Sequence, residues 1–209
     1  MPQRPTLKIV EIFASLQGEG LRQGAPAIFV RFSGCNLKCS FCDTRYARQG
    51  GTDVTTAQAL TQVRKIRRRL KTEWVCLTGG EPLLQDISGF VADLHKDGMK
   101  IQVETNATAY HPLRVDWYTV SPKPPRFFYR QEYRKRAKEV KLIVTNSLRF
   151  GTVERLRKDF PARIPFLLQP ESNAPWSVAK SLRMLNRAQR EGLKNIRFSA
   201  QLHKLYGWR

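Results

Sequence analysis

Acidic residues are scarce in this chain: 17 Asp and Glu stand against 37 Lys and Arg, a net charge of +20. Long apolar runs are missing, and none approaches the roughly 18 residues that a membrane-spanning helix needs. Met1-Pro2-Gln3-Arg4-Pro5 leads into Leu7-Lys8-Ile9-Val10 without the apolar core of a secretion signal, so the expectation is a soluble, cytoplasmic protein with no membrane partner. Cysteine is sparse too. Four Cys in a chain without such a signal argue against a disulfide framework. Internal repeats, low-complexity tracts and a clear linker are absent. The 209 residues, 41% of them hydrophobic, therefore read as one domain, 1–209, with enough apolar side chains for a core.

What is present is concentrated in a short run. Cys35, Cys39 and Cys42 lie in Gly34-Cys35-Asn36-Leu37-Lys38-Cys39-Ser40-Phe41-Cys42-Asp43-Thr44, a C-x3-C-x2-C triplet. Three thiolates on one loop can ligate three irons of a [4Fe–4S] cubane and leave the fourth open, whereas electron carriers normally use four cysteines. A zinc site completed by Cys76 or a histidine competes, but zinc sites more often use paired C-x2-C knuckles and only one such pair exists here. Cys76 stands in the apolar run Trp74-Val75-Cys76-Leu77 and reads as a buried core thiol. That run is closed by Thr78-Gly79-Gly80-Glu81-Pro82. Paired glycines at a strand end clear side chains from where a ligand approaches the backbone, and main-chain groups with Glu81 could hold an ammonium.

Along the chain, strands alternate with helices. Expected strands are Lys8–Phe13, Ala27–Phe32, Trp74–Thr78, Lys100–Glu104, Trp117–Val120, Val140–Thr145, Phe166–Gln169 and Asn195–Ser199, mostly β-branched or continuously apolar. Expected helices are Thr56–Leu70, with Thr55 and Gln58 spaced as a capping box, Leu84–Lys96 ended by Gly98, Gly151–Asp159, and Trp176–Glu191 ended by Gly192. The pattern calls for an α/β fold with a mostly parallel sheet, a partial and trimmed (β/α) barrel with its chemistry at the strand C-terminal ends. Glu104-Thr105-Asn106, Ser121-Pro122-Lys123-Pro124 and Gln169-Pro170-Glu171-Ser172 fall at those ends.

With Phe41 before its last cysteine, the triplet resembles that of the radical S-adenosylmethionine (SAM) enzymes, and the Gly-Gly-Glu-Pro run resembles their SAM-binding motif. The resemblance narrows with Glu11-Ile12-Phe13-Ala14-Ser15-Leu16-Gln17-Gly18-Glu19-Gly20 and with Gly24-Ala25-Pro26-Ala27-Ile28-Phe29-Val30-Arg31-Phe32-Ser33-Gly34. Adding Cys42-Asp43-Thr44, Ser121-Pro122-Lys123-Pro124 and Gln201-Leu202-His203-Lys204, nearly the whole chain is similar to the 7-carboxy-7-deazaguanine synthases.

That resemblance implies a radical SAM lyase converting 6-carboxy-5,6,7,8-tetrahydropterin to 7-carboxy-7-deazaguanine with loss of ammonia, on the route to 7-deazapurines such as queuosine. It implies a [4Fe–4S] cluster, SAM and Mg²⁺, and a radical that comes from the cofactor rather than from a protein side chain. Cys35, Cys39 and Cys42 would hold the cluster and Thr44 the Mg²⁺. SAM would be held by Phe41, Asp43, Gly79, Gly80, Glu81, Glu104, Ser121, Lys123 and Gln169. The pterin would meet Leu16, Gln17, Gly18, Glu19, Arg31, Thr78 and the terminal carboxylate of Arg209. Arg31 offers a planar fork for a carboxylate, and Thr44 a hard oxygen for Mg²⁺. One departure from the common Glu-Thr-Asn-Gly-Thr pattern is Ala107. A glycyl-radical-enzyme activase, which shares the triplet and a similar glycine motif, is the alternative reading; a basic zinc or iron–sulfur RNA-binding module is a non-enzymatic one.

The charge remains to be placed. Arg64-Lys65-Ile66-Arg67-Arg68-Arg69-Leu70-Lys71 belongs to a helix whose Leu60, Val63, Ile66 and Leu70 form one stripe, which makes its charges a solvated face. No aromatic interleaving accompanies it, so nucleic acid is not the expected partner. An acidic electron donor such as a flavodoxin would suit the basic surface, and a homodimer is what the family suggests.

Overall fold

In the computed structural model, residues 6–208 are described. The strands are β1 (Thr6–Leu16), β2 (Pro26–Phe32), β3 (Thr52–Thr55), β4 (Trp74–Gly79), β5 (Lys100–Thr105), β6 (Trp117–Val120), β7 (Ala137–Val144), β8 (Phe166–Pro170) and β9 (Ile196–Phe198). The helices are α1 (Thr56–Leu70), α2 (Ser88–Lys96), α3 (Tyr133–Arg136), α4 (Phe150–Asp159), α5 (Pro175–Arg190) and α6 (Leu202–Tyr206). All nine strands join one sheet in the order β3-β1-β2-β4-β5-β6-β7-β8-β9. From β2 onward the neighbours pair parallel, while β1 runs antiparallel to both β2 and β3. The sheet curls without closing, the trimmed α/β barrel that the alternation of elements called for.

A two-residue period divides each strand between two environments. Ile28, Val30 and Phe32, Val75 and Leu77, Ile101 and Val103, Tyr118 and Val120, Val140, Leu142 and Val144, and Phe166 and Leu168 all belong to the main core. The residues between them face the other way. There Ala27, Phe29 and Cys76 form only a small apolar cluster, and Gln102, Thr119, Glu139, Lys141 and Gln169 are buried polar groups. Buried polar atoms need partners, so the concave side of the sheet is a site rather than a second core.

Because β1 is antiparallel, the loop that leaves it lies at the end of the barrel away from the parallel strands' C-termini, and it plugs that end as a floor. Leu21 N–H donates to Glu139 Oε2 (2.7 Å), and Gly20 N–H to Ser199 Oγ (3.2 Å). The Arg22 guanidinium donates to Gln102 Oε1 (2.9 Å) and lies 3.4 Å above the Trp74 ring. The open side between β1 and β9 is crossed by the segment after β9, where Leu202 N–H donates to Gly18 O (2.9 Å) and Asn173 Nδ2–H to Gln201 O (2.8 Å).

Several elements differ from expectation for local reasons. The helix expected over Leu84–Lys96 is a 3-10 turn, Pro82–Leu84, followed by α2. Gln85 is drawn away to pair with the backbone of Lys8 and Ser33, and Asp86 accepts from both N–H and Oγ–H of Ser88. β3 is short and polar, with no sequence signal of its own, and it pairs with β1. The face of α1 is not wholly solvated either. Arg64 clamps the Asp97 carboxylate with two bonds (2.6 and 2.9 Å) and Arg67 donates to the Asp97 carbonyl, fixing α1 to the end of α2.

α1 itself starts as its sequence dictates. Gln58 N–H donates to Thr55 Oγ1 (3.2 Å) while Thr55 N–H donates to Gln58 Oε1 (2.9 Å), a reciprocal capping box. Replacing Thr55 with Ala should lower the unfolding free energy by about 1 kcal/mol, as for an N-cap hydroxyl elsewhere. Urea titration should show an earlier midpoint at unchanged slope, and an unchanged midpoint would mean that the cap contributes nothing.

Candidate active site

The cysteine loop leaves β2 and is held by the end of β4. A Cβ on Gly80 would stand 1.9 Å from Gly34 O, and one on Gly79, whose φ is +124°, 2.2 Å from Phe32 O. Gly80 N–H donates to Phe32 O (3.0 Å) and Glu81 N–H to Gly34 O (2.8 Å). The paired glycines thus admit another stretch of this chain's own backbone, a need that the ligand argument alone did not foresee.

Glu81 is a second correction. It is fully buried and does not face the cavity; its carboxylate accepts from Thr105 Oγ1–H (2.8 Å), Asn106 N–H (2.6 Å) and Leu83 N–H (3.2 Å). Its role in this geometry is to staple the end of β4 to the end of β5, not to reach an ammonium. Burial lifts its carboxyl to about 7 against the pull of those three bonds.

Cys35, Cys39 and Cys42 line one cavity of about 400 Å³ on the concave side of the sheet. Burial pushes the Cys35 and Cys39 thiols up, so their thiolates call for a positive partner. The three sulfurs do not make the tight group that one ion draws together. Among the described residues, the only three candidate ligand atoms within 4.8 Å of one another belong to Glu19, Asp43 and His203. A wider set of three thiolates fits a cluster better than a zinc ion, and Cys76, fully buried under the Gln17 amide (3.8 Å), is no fourth ligand. Thr44 Oγ1 lies 3.8 Å from Cys42 Sγ and faces the same cavity.

Deeper in, Lys141 holds the polar interior together. Its ammonium donates to Glu104 Oε2 (2.8 Å) and to Glu19. Burial works against that charge, but the two carboxylates outweigh it and hold Lys141 protonated. In turn Lys141 keeps Glu19 below the usual carboxylate range despite its burial, whereas burial leaves Glu104 raised. The Gln17 amide donates to Glu104 Oε1 (3.2 Å). Gln201 Nε2–H donates to Glu19 Oε1 (2.7 Å) and reaches Asp43 Oδ2 at 3.5 Å. Burial also acts on Asp43, but His203 (3.9 Å) and Lys204 (3.8 Å) beside it bring its carboxyl down to about 2. Lys123 donates to Ser121 Oγ (2.6 Å), and burial next to Lys141 lowers its affinity for the proton. Two buried polar atoms on this wall have no partner, Gln169 Oε1 and Trp208 Nε1. Orphans of this kind mark where a ligand's polar atoms belong.

The cavity gathers nearly every residue singled out in the sequence. Leu16, Gln17, Gly18, Glu19, Arg31, Phe41, Asp43, Thr44, Thr78, Gly79, Gly80, Glu104, Ser121, Lys123 and Gln169 all line it with the three cysteines. Glu81 does not, and Arg209 lies outside the described residues. Arg31 is there in altered form, because one edge of its fork already donates to Glu11 Oε1 (2.6 Å). Lys141, Gln201, His203, Lys204 and Trp208 are additions. Lys141 had a signal: in β7 the charged Glu139 and Lys141 alternate with Val140 and Leu142, so both face inward. Ala107 has φ +66° and is buried, a left-handed conformation that costs a non-glycine residue roughly 1–2 kcal/mol. It stands apart from the cavity, bonded to Thr105 Oγ1 and Arg130 N, so the departure from glycine leaves the cavity wall intact.

The radical SAM superfamily pattern matches residues 29–139. A 7-carboxy-7-deazaguanine synthase of Haemophilus influenzae is 32% identical over 97% of this chain and 94% of its own length. The chain belongs to the 7-carboxy-7-deazaguanine synthase family of radical SAM enzymes. The synthase of Bacteroides thetaiotaomicron is 48% identical over 56% of this chain, and there the chain spans only 60% of the relative. In three dimensions the solved structure of QueE from Escherichia coli covers 95% of both chains with a TM-score of 0.76 at 27% identity.

The inward turn of Glu81 is testable. Glu81→Gln would set an amide N–H against a backbone N–H of Asn106 or Leu83, and should cost about 1–3 kcal/mol of stability. In the wild type the sign of the pH effect follows from a folded-state value of about 7 against 4.5 unfolded. The folded protein binds this proton more tightly, so Glu81 should make stability fall by about 1 kcal/mol as pH rises from 6 to 8. Denaturant titrations of both proteins across that range check this; a Glu81→Gln variant of native stability would return Glu81 to the role of a ligand contact.

Proposed function

We propose that the cavity holds a [4Fe–4S] cluster on Cys35, Cys39 and Cys42 with SAM beside it, and converts 6-carboxy-5,6,7,8-tetrahydropterin to 7-carboxy-7-deazaguanine with loss of ammonia. The observation that carries this reading is one cavity that joins the cysteine triplet to a polar interior, in a chain that aligns nearly end to end with a synthase. When bound, the cluster and SAM supply a 5′-deoxyadenosyl radical. The chain's own residues position, neutralise and exclude water. Lys141 keeps Glu19 ionised beside Glu104, so the floor presents acceptors to the N–H groups of a pterin. The remaining edge of Arg31 suits the substrate carboxylate. Gln169 Oε1 and Trp208 Nε1–H offer an unmatched acceptor and donor to the bound molecules. Thr44 serves Mg²⁺, a hard cation that keeps most of its ligands as water and substrate oxygen. Phe41, Asp43, Gly79, Gly80, Ser121 and Lys123 form the SAM side.

An acidic electron donor such as a flavodoxin, a homodimeric assembly and a cytoplasmic setting belong to the same proposal. Among the described residues, no helix is long and apolar enough to cross a membrane. Activation of a glycyl-radical enzyme is disfavoured, since a polypeptide substrate gives no use to the floor built from residues 17–19.

Anaerobically reconstituted protein, given SAM, a low-potential reductant and the carboxytetrahydropterin, should form the deazaguanine chromophore. Cys35→Ala, Cys39→Ala and Cys42→Ala should each abolish reductive SAM cleavage, while Cys76→Ala keeps it. Stoichiometric zinc in active protein would sink the cluster assignment.

Thr44→Val should weaken activation by Mg²⁺ about tenfold, on the scale of losing a charged-group contact, with iron content and SAM binding near native. An unchanged Mg²⁺ titration in that variant rules out Thr44 as the ligand.

A further inference from the structure

Cys35 differs from the other two cysteines in what surrounds its sulfur. Leu37 N–H donates to it (3.4 Å), and Asn106 Nδ2 approaches it at 4.0 Å. Asn106 is itself held in a closed circuit of side chains. Asn36 Nδ2–H donates to Thr108 Oγ1 (2.8 Å), Thr108 Oγ1–H donates to Asn106 Oδ1 (2.7 Å), and Asn106 Nδ2–H donates to Asn36 Oδ1 (3.1 Å). Each hydroxyl and amide acts once as donor and once as acceptor, so the circuit has no mismatch. The orientation of the Asn106 amide is also fixed from outside it. Thr108 N–H donates to Asn106 Oδ1 (2.9 Å), which leaves the NH₂ group facing Asn36 and the Cys35 sulfur. The Asn106 backbone is in turn gripped by Glu81, and Asn106 is only 7% exposed. The first residue after Cys35 is thus tied, through three side chains and one buried carboxylate, to the ends of β5 and β4.

We propose that Asn106 is a positioning residue for the cluster: with Thr108 and Asn36 it locks the start of the cysteine loop, and it turns an amide N–H toward the Cys35 sulfur. The inference rests on the cluster reading above and adds two consequences to it. In iron-free protein the loop is already ordered, because the circuit needs no metal. In the loaded protein an N–H directed at a ligand sulfur stabilises the more negative, reduced cluster, since outer hydrogen bonds to ligand sulfurs tune iron–sulfur potentials.

Two variants separate these roles. Asn106→Leu removes the amide and the circuit, and Thr108→Val opens the circuit while keeping the amide and its backbone bond to Glu81. In iron-free protein, hydrogen exchange of the amides at residues 36–42 should accelerate about fivefold in each variant, the scale of one lost hydrogen bond, with β7 and β8 unchanged. In reconstituted protein, a spectroscopically monitored redox titration should place the cluster of Asn106→Leu at a more negative potential than wild type, and that of Thr108→Val nearer to it. Native exchange and native potential in Asn106→Leu would overturn the proposal, as would faster exchange over the whole sheet, which marks a structural role only. Wild-type protein that takes up no cluster on the three cysteines would overturn the functional reading, while the iron-free exchange measurement still decides whether the circuit orders the loop.

Discussion

Between residues 32–34 and 79–80 two backbones run so close that a methyl group at Gly80 would stand 1.9 Å from a carbonyl oxygen. No side chain larger than hydrogen fits that contact without moving main chain, and no rotamer change can relieve it. From this contact follow the two bonds Gly80 N–H to Phe32 O and Glu81 N–H to Gly34 O, which set where the cysteine loop begins. The same contact delivers Glu81 to the interior, where it fixes Thr105 and Asn106 and so the end of β5. The rim of the site is therefore built from backbone bonds radiating from two glycines, with the chemistry-bearing side chains mounted on it.

The second organising fact is the division of labour between the two faces of the sheet. Toward the helices, the strands present an apolar layer that supplies the core. Toward the concave side they present Gln102, Glu104, Thr119, Glu139, Lys141 and Gln169, held near neutrality by pairing rather than by exclusion of charge. A buried ammonium between two carboxylates is costly to assemble, and its placement at the heart of the cavity points to a site kept for function. The Arg22 guanidinium, stacked on Trp74 and bonded to Gln102, closes the floor beneath it.

Much of this was legible in the chain. The triplet, the glycine pair and the strand-ending clusters were read together at one end of a parallel barrel, and the cavity unites them because parallel strands deliver their C-terminal ends to one rim. The capping box of α1 was visible because it is local. What stayed hidden was non-local. β3 is defined by the edge of β1 rather than by its own residues. Gln85 breaks the expected start of α2 because it is captured by Lys8 and Ser33, far away in sequence. Glu81 was read as a ligand contact because spacing shows which residues are near a site but not which way a carboxylate turns. Lys141 was not singled out, although its alternation with Val140 and Leu142 shows that it faces inward. Arg31 was given a whole fork, and only the fold reveals Glu11 beside it.

The order of the strands has a consequence for how the site comes into being. Apart from β3, each strand lies beside its neighbours in sequence, so the sheet can be extended one crossover at a time. The contacts that complete the enclosure are of another kind. They join Gly18, Gly20 and Gln23 to Ser199, Ala200 and Leu202, across nearly the whole length of the described chain. Such a ring carries a large loop-closure entropy, yet it is closed by a handful of hydrogen bonds rather than by a ladder. The seam is then the last part of the molecule to form and the cheapest to part. An opening there leaves the helix-backed sheet intact, so exchange of solvent and small molecules with the interior is a local event, separate in free energy and in rate from global unfolding.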